Sequence, residues 1–220
     1  MSKRMQTTRR SRRQRSALVV LAAVLGLLGS ACGGNGAANG LANPMGLKGV
    51  IRQPPVAKPD FTLTDTENQP FNIKTGTAGD VLLLYFGYTN CPDDCPTTMA
   101  HLALSLKKVS PSVRSHVKVV FVTTDPNRDS TAVLRHWLDD YNSSFIGLWG
   151  TVPQIDAAEA SVGLPPAIVV AEGNGQYTDE HSTIVLAFTT DNEAHAEYPE
   201  GYGVTTWIHD LPRLVKGIKA

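Results

Sequence analysis

The sequence predicts an α/β sandwich in which a central mixed sheet carries helices on both faces. Two short runs, Val81–Phe86 and Val117–Thr123, contain almost only branched and aromatic residues, the pattern of strands that are covered on both sides. Segments with apolar residues three and four positions apart follow each run. Strands that alternate with helices in this way, followed by a terminal hairpin and helix, indicate an α/β architecture.

The first half of the predicted domain begins with a hairpin. Pro54-Pro55 and Pro59 mark the approach to folded structure. Residues 61–65 and 69–74 alternate around the turn residues 66–68, so we interpret them as paired strands. After the strand at 81–86, Pro96 suits the first turn of a helix, where its missing N–H would have no partner. An apolar stripe then continues this helix, formed by Met99, Leu102, Leu106 and Val109.

The second half continues the alternation. Ser130 is a suitable cap for a helix whose apolar positions extend from Val133 to Tyr141. The remaining predicted elements are a strand at 146–149, a helix at 152–162, a hairpin of strands 167–171 and 184–188 around Gly173-Asn-Gly175, and an amphipathic helix at 205–218.

The N-terminus has the pattern of an export signal. Residues 1–31 contain seven basic residues and no acidic one, and residues 17–28 form an apolar run. Twelve helical residues span about 18 Å, which is too short for a hydrocarbon core of ~30 Å, so this run predicts a signal peptide. Cys32 follows Ser30-Ala31 as in a bacterial lipoprotein, where this cysteine becomes the lipid anchor. The alternative is a plain secretory signal followed by an unrelated cysteine.

These features divide the chain into a lipoprotein-type signal peptide at 1–31, a flexible tether at 32–54 that is rich in Gly, Asn and Ala, and a folded domain at 55–220. We therefore expect a domain anchored by lipid to the outward face of the cell membrane. Without the signal peptide, 13 basic residues remain against 20 acidic ones. No basic patch indicates binding to nucleic acid.

Cys91 and Cys95 lie where the predicted strand at 81–86 meets the next helix. Free N–H groups and the helix dipole favour thiolate there, the form that binds metal or attacks a disulfide. If the first turn is helical, the Cα atoms are roughly 6 Å apart, which suits a disulfide or chelation of one ion. A disulfide that closes so short a loop stabilises by only ~2 kcal/mol, which disfavours a purely structural bridge. Metal binding and thiol–disulfide exchange both remain open.

Two thiolates would leave positions for a third metal ligand, and the chain has six histidines. His101 and His136 lie on polar sides of helices, His116 and His195 in polar loops, and His209 in the last helix. His181 differs because we place it at the bend of the terminal hairpin, where it can lean over a neighbouring site. Its position alone makes it a candidate and no more.

Three motifs together resemble one protein family. Gly87-Tyr-Thr-Asn-Cys91-Pro-Asp-Asp-Cys95-Pro is similar to the Cys-Pro-Asp-x-Cys-Pro signature of the Sco/SenC family, copper-binding assembly factors for cytochrome c oxidase. Asp125-Pro-Asn-Arg-Asp129 resembles the family's Asp-Pro-x-Arg-Asp motif, and His181-Ser182 its Asp-His-Ser segment, with Glu180 in place of the aspartate. The order and spacing fit, over roughly residues 55–220.

The resemblance implies a thioredoxin-like fold with an added hairpin and a copper site formed by Cys91, Cys95 and His181. Thiolates suit Cu(I), and an added imidazole lets one site also hold Cu(II). The resemblance also implies that Asp125 orients structure near the site, although a turn and cap residue would look the same. Met99 is a spare soft ligand by chemistry, but its spacing favours core packing.

The function implied is an exported metallochaperone that passes copper to the dinuclear centre in the copper-bearing subunit of cytochrome c oxidase, with other copper chaperones as further partners. The metallochaperone hypothesis describes a carrier and not an enzyme. The enzyme alternative is a thiol–disulfide reductase in which Cys91 and Cys95 form a redox-active pair that keeps the oxidase's cysteines reduced. A copper or redox sensor is a third alternative. His181 favours the chaperone because disulfide exchange requires no imidazole.

Overall fold

The computed structural model describes residues 43–173 and 176–217. The predicted signal peptide, Cys32 and most of the predicted tether lie outside these residues. The strands are β1 Val50–Ala57, β2 Thr62–Asp65, β3 Pro70–Asn72, β4 Val81–Gly87, β5 Val117–Thr123, β6 Ile146–Trp149, β7 Ile168–Gly173, β8 Gln176–Glu180, β9 Val185–Phe188 and β10 Glu193–Tyr198. The helices are α1 Ile73–Gly76, α2 Asp94–Lys108, α3 Pro111–Arg114, α4 Thr131–Asp139, α5 Val152–Ser161 and α6 Val204–Lys216. In this part of the chain no helix has the length and apolar character needed to cross a membrane.

Eight strands form one mixed sheet in the order β1-β10-β9-β4-β5-β6-β2-β3. β4, β5 and β6 are parallel, whereas β9 is antiparallel to β4. Every residue of β4 is buried, because side chains that alternate along the strand enter two different core layers. The predicted central mixed sheet is confirmed.

The two core layers place helices on both faces of the sheet, as predicted. On one face, Leu83 and Tyr85 of β4 share a core with residues of α2, α4 and α6. On the other face, Leu82 and Leu84 share a core with residues of α1 and α5. Met99 of α2 is fully buried in the first of these layers, so the prediction that it packs in the core is confirmed.

The predicted terminal hairpin has the wrong second strand. β7 pairs antiparallel with β8, Gln176–Glu180, and not with the segment at 184–188. That segment forms β9, which lies between β4 and β10 and is buried at every position. The physical reason is apolar burial: the continuous run of β9 fits the central sheet, whereas the polar β8 fits a ribbon beside it. β7 is exposed along its whole length.

The predicted tether extends too far toward the domain. Residues 50–54 belong to β1, which pairs with β10, and Leu47 before them is also buried. The sequence analysis also missed β10, the strand that contains His195. The prediction that His195 lies in a polar loop is therefore wrong. In β10 the buried positions are Ala194, Ala196 and Tyr198. Alanine contributes a weak apolar signal, which explains why this alternation is hard to detect.

Glu159 on α5 fixes the start of β7. Its side chain is fully buried, and Oε2 accepts a hydrogen bond of 3.2 Å from the backbone N–H of Ala167. The other carboxylate oxygen has no partner among the described residues. Burial raises the pKa of Glu159 to about 7, and the charges of Asp156 and Asp179 act in the same direction. In the folded domain, Glu159 therefore stays protonated to a higher pH than an ordinary glutamate does.

We predict that Glu159→Gln stabilises the domain increasingly between pH 5 and pH 8. Because the pKa is higher in the folded state than the ordinary 4.5, the wild-type free energy of unfolding falls as pH rises through this range, by up to about 3 kcal/mol. Glutamine keeps an acceptor for the Ala167 N–H but carries no charge, so its curve should be flatter. Urea unfolding at pH 5, 6, 7 and 8 measures the difference.

The control for this measurement is Glu172→Gln, since Glu172 is an exposed glutamate of β7. It should shift the unfolding midpoint equally at all four pH values. Parallel curves for wild type and Glu159→Gln would contradict the assignment of a raised pKa to Glu159.

Candidate metal centre

The structure brings Cys91, Cys95 and His181 together. Their sulfur and nitrogen ligand atoms all lie within 4.8 Å of one another. His181 Nε2 is 3.5 Å from Cys95 Sγ, although the two residues are 86 positions apart. Both cysteines carry free thiols. The described residues thus contain the three donors that the resemblance implied, in an arrangement that one ion can bridge.

The two cysteines lie at the predicted junction between a strand and the following helix. Cys91 lies in the loop after β4, and Cys95 is the second residue of α2. Gly87 at the end of β4 allows the close approach, because a Cβ atom there would lie 2.6 Å from Cys95 Sγ. The loop is tied down by the buried Asp129, which accepts hydrogen bonds from the backbone N–H of Thr89 at 2.9 Å and from the Thr123 hydroxyl at 2.7 Å.

The two thiols have different environments. Cys91 is partly exposed, and hydrogen bonds lower its pKa to about 3: the largest contribution comes from the Cys95 side chain, with further ones from His181 and from backbone N–H groups. Cys95 is fully buried. Burial raises the pKa of Cys95, and the neighbouring Cys91 raises it further. Of the two sulfurs, Cys91 is therefore the thiolate and Cys95 retains its proton.

Tyr85 is a contact of Cys95 that the sequence analysis did not identify. This buried tyrosine of β4 places its hydroxyl 3.7 Å from Cys95 Sγ. Burial and the nearby cysteines raise the pKa of Tyr85, so the hydroxyl stays protonated and can donate to the sulfur. A tyrosine in an otherwise apolar buried strand is the signal that would have identified it, since a buried hydroxyl requires a partner.

The imidazole of His181 is oriented by its surroundings. Nδ1 lies 3.0 Å from the carbonyl oxygen of Ser182, which can only accept, so Nδ1 carries a hydrogen and Nε2 faces the sulfurs. Burial lowers the pKa of His181, but hydrogen bonds with Cys91 and Ser182 outweigh burial and the net shift is upward. Tyr85 and Tyr88 contact the ring edge-on, with centroids 6.0 and 5.5 Å away.

Asp125 lies outside the set of three donors and contacts the hairpin. Its carboxylate is buried, and Oδ1 accepts a hydrogen bond of 2.8 Å from the Tyr177 hydroxyl. Arg128 pairs with the other oxygen, places its guanidinium carbon 3.7 Å from the centre of the Tyr177 ring, and donates to the Tyr177 carbonyl oxygen at 3.1 Å. The motif at 125–129 therefore contacts β8 at Tyr177, four residues before His181.

The sequence analysis did not predict a second contact with β8. The Thr124 hydroxyl donates to Oδ2 of Asp179, two residues before His181. Asp179 is buried, whereas the neighbouring Glu180 is exposed. Oδ1 of Asp179 has no partner among the described residues, so Thr124 is its main support. The resemblance drew attention to Glu180, but the carboxylate that fixes this segment is the one before it.

The site opens to solvent through a cavity of about 280 Å³ beside Cys91. Its lining includes Tyr88, Cys91 and His181 together with the acidic residues Asp93, Asp94 and Glu180. The partly exposed Cys91 is thus accessible from outside, and the lining has acidic side chains.

Comparison with solved structures supports the fold. ScoI from Bradyrhizobium japonicum with copper bound is 25% identical, with a TM-score of 0.65 that covers 73% of this chain and 99% of that one. Yeast Sco1 with copper bound is 27% identical, with a TM-score of 0.66 and coverage of 74% and 90%. The predicted thioredoxin-like α/β fold is therefore confirmed.

Sequence comparison leads to the same group. Protein SCO1, mitochondrial, from Saccharomyces cerevisiae is 37% identical over 160 residues, which are 71% of this chain and 53% of that protein. The chain spans between 53% and 61% of the length of three curated relatives. The SCO1/SenC family model matches residues 50–216. With three-quarters of its length matched by this model, the chain belongs to the SCO1/SenC family.

Proposed function

We propose that this protein binds copper through Cys91, Cys95 and His181 and acts outside the cytoplasm as a metallochaperone for the dinuclear copper centre of cytochrome c oxidase. The observation that carries the proposal is the convergence of two sulfur atoms and one imidazole nitrogen within 4.8 Å. The copper-bound structures of B. japonicum ScoI and yeast Sco1 support the choice of metal.

The donor set suits copper as a cargo in both oxidation states. Soft thiolates favour Cu(I), and an imidazole nitrogen makes Cu(II) acceptable at the same site. Cys91 provides a thiolate from the start, and Cys95 releases its proton when it binds. His181 contributes Nε2, since Nδ1 is held by the Ser182 carbonyl.

The position of the site suits transfer to another protein. Three donors would leave copper a free coordination position, and the cavity beside Cys91 would give ligands of a recipient access to the site. Cys91 lies at this opening, whereas Cys95 is fully buried. The recipient that we propose is the copper-bearing oxidase subunit, and other copper chaperones are the proposed donors.

The asymmetry of the thiols favours a second candidate, a thiol–disulfide reductase. The Cys91 thiolate would attack one sulfur of a client disulfide and expel the other as a thiolate. Cys95, after losing its proton, would attack Cys91 Sγ in the mixed disulfide and release the client's second thiolate. Two electrons pass to the client, and Cys91 and Cys95 become a disulfide. A partly exposed, acidic thiol beside a buried one is suited to this sequence.

We further propose that the mature protein begins at Cys32 and is held at the outward face of the cell membrane by a lipid on this residue. The pattern at residues 1–32 supports the proposal. Mass spectrometry of the mature N-terminus should show a diacylglyceryl-modified Cys32. An unmodified residue, or a start elsewhere, would contradict it.

We predict that His181→Ala lowers copper affinity at least tenfold while reductase turnover stays within a factor of two of wild type. The variant removes one of three donors but leaves both thiols in place. Copper affinity is measured by competition with a Cu(I) chelator, and turnover by reduction of a model disulfide. Loss of copper binding with unchanged turnover supports His181 as a metal ligand, which the chaperone requires and disulfide exchange does not. Loss of turnover as well would mean that the imidazole also assists the Cys91 thiolate.

The matched control is His116→Ala. His116 is an exposed histidine that pairs with Asp80 through Nδ1 at 3.3 Å, so it should change neither quantity. Copper bound with wild-type affinity by His181→Ala would remove this histidine from the site.

We predict that Thr124→Val weakens copper affinity by about tenfold without removing a donor. Valine has the shape of threonine but leaves the buried Asp179 carboxylate without its hydrogen bond, which costs about 1–3 kcal/mol. The segment that carries His181 should shift, as seen when supporting groups behind metal ligands are lost.

The comparison for this variant is Thr131→Val, because the hydroxyl of the half-buried Thr131 donates to Asn68 Oδ1 at 2.9 Å and not to Asp179. It should bind copper as wild type does. Equal affinity in Thr124→Val would mean that Asp179 does not position His181.

A further inference from the structure

A second group of metal-binding side chains lies at the turn between β9 and β10. One ligand atom each of Asp191, Glu193 and His195 lies within 4.8 Å of the other two. We propose that these three residues form a second metal site, which binds a divalent ion such as Cu²⁺ or Zn²⁺ independently of the cysteines.

The position of His195 is set by an irregularity of the sheet. Along β10, Ala194 pairs with Phe188 and Ala196 with Ala187, so β10 has one residue more than β9. On the other side, Ala194 pairs with Val56 and Ala196 with Ile51, so β1 also bulges opposite His195. β-Bulges re-aim side chains and are frequent next to functional sites. The pairing of β10 with β9 and with β1 is therefore irregular at His195 on both sides.

The donors are arranged before any ion binds. His195 Nε2 lies 2.7 Å from Asp191 Oδ2 and 3.8 Å from Glu193 Oε2. The second oxygen of Asp191 is held by the Thr189 hydroxyl at 2.6 Å and by the Glu193 N–H at 3.1 Å, which leaves Oδ2 free to face the ring. The single hydrogen on Nε2 can satisfy one carboxylate at a time, whereas a cation in its place would contact both.

The chemistry of the donors selects the class of ion. One imidazole nitrogen and two carboxylate oxygens suit Cu²⁺ and Zn²⁺, whereas Cu(I) prefers sulfur and Mg²⁺ or Ca²⁺ prefers oxygen alone. The His195 side chain is only 15% exposed, but those of Asp191 and Glu193 are 43% and 47% exposed. An ion can therefore enter from solvent without any rearrangement of the core.

The local charge also permits a cation. Lys58 is buried nearby: its ammonium group donates to the Thr77 carbonyl oxygen at 3.3 Å and interacts with the charges of Asp80 and Asp191. This one positive charge opposes the two carboxylates of Asp191 and Glu193, so the group keeps a net negative charge. Arg52, which lies opposite the bulge, is engaged by Glu197.

The two metal sites lie at different ends of the sheet. Cys91 and Cys95 follow the C-terminal end of β4, whereas the turn at 189–192 follows Phe188, which pairs with Leu82 near the start of β4. Five residues of strand at about 3.3 Å each separate Leu82 from Gly87, so the sites are roughly 15 Å or more apart. Oxidation of the two thiols would leave the second site intact.

The test uses the full chain with the first site removed by Cys32→Ser, Cys91→Ser, Cys95→Ser and His181→Ala. Titration with CuSO₄ or ZnCl₂ is followed by isothermal calorimetry. We expect one equivalent of each ion to bind, and the Cu²⁺ paramagnetic resonance spectrum should show coupling to a single imidazole. Adding His195→Asn should lower the affinity at least tenfold, and Glu193→Gln, which changes only a half-exposed side chain, should lower it at least threefold.

His116→Asn in the same background is the control, because His116 also pairs with a carboxylate, that of Asp80, but has no second carboxylate partner among the described residues. It should bind both ions unchanged. The proposal is overturned if the background variant binds neither ion at ion concentrations up to 100 times that of the protein. It is also overturned if His195→Asn and Glu193→Gln both leave the affinity unchanged, or if His116→Asn lowers the affinity as much as His195→Asn does.

Discussion

The candidate metal centre depends on the attachment of the β7–β8 hairpin to the carboxyl end of β5. Cys91 and Cys95 are brought together by a single strand–helix junction, so their proximity is local. His181 directly follows β8 of this hairpin, and its position relies on the contacts of Thr124 with Asp179 and of Asp125 and Arg128 with Tyr177. These contacts are buried or partly buried and several are charged, which makes each of them costly to break.

The sequence was most informative where burial is strong and continuous. β4 and β5 were predicted from their apolar runs, and α2 and α4 from spacings of three and four, because the core layers on each face of the sheet impose those periods. β10 was missed since its buried positions are mostly alanine. The pairing of β7 was wrong because Val185–Phe188 satisfies the hairpin pattern as well as β8 does, and only the central sheet distinguishes them.

The sequence predicted which three side chains meet at the candidate site, but not the residues that support them. Two cysteines four residues apart and the resemblance around His181 named the donors. The contact of Thr124 with Asp179 joins residues 55 positions apart, and the hydroxyl groups of Thr124 and Tyr85 carry no periodic signal in the sequence. The different protonation of the two thiols likewise follows from the burial of Cys95 and from the hydrogen bonds made to Cys91, which spacing alone does not reveal.

The separate ribbon formed by β7 and β8 has a consequence for how copper would leave. A two-stranded ribbon has little stability of its own, and here β7 exposes Ile168 and Val169 at 62% and 63%. Its detachment would withdraw the imidazole while β4, α2 and both sulfurs stay in place. In the carrier function proposed above, Cys91 and Cys95 would then hold the ion without the imidazole, and a donor atom of the recipient could take the position that His181 leaves.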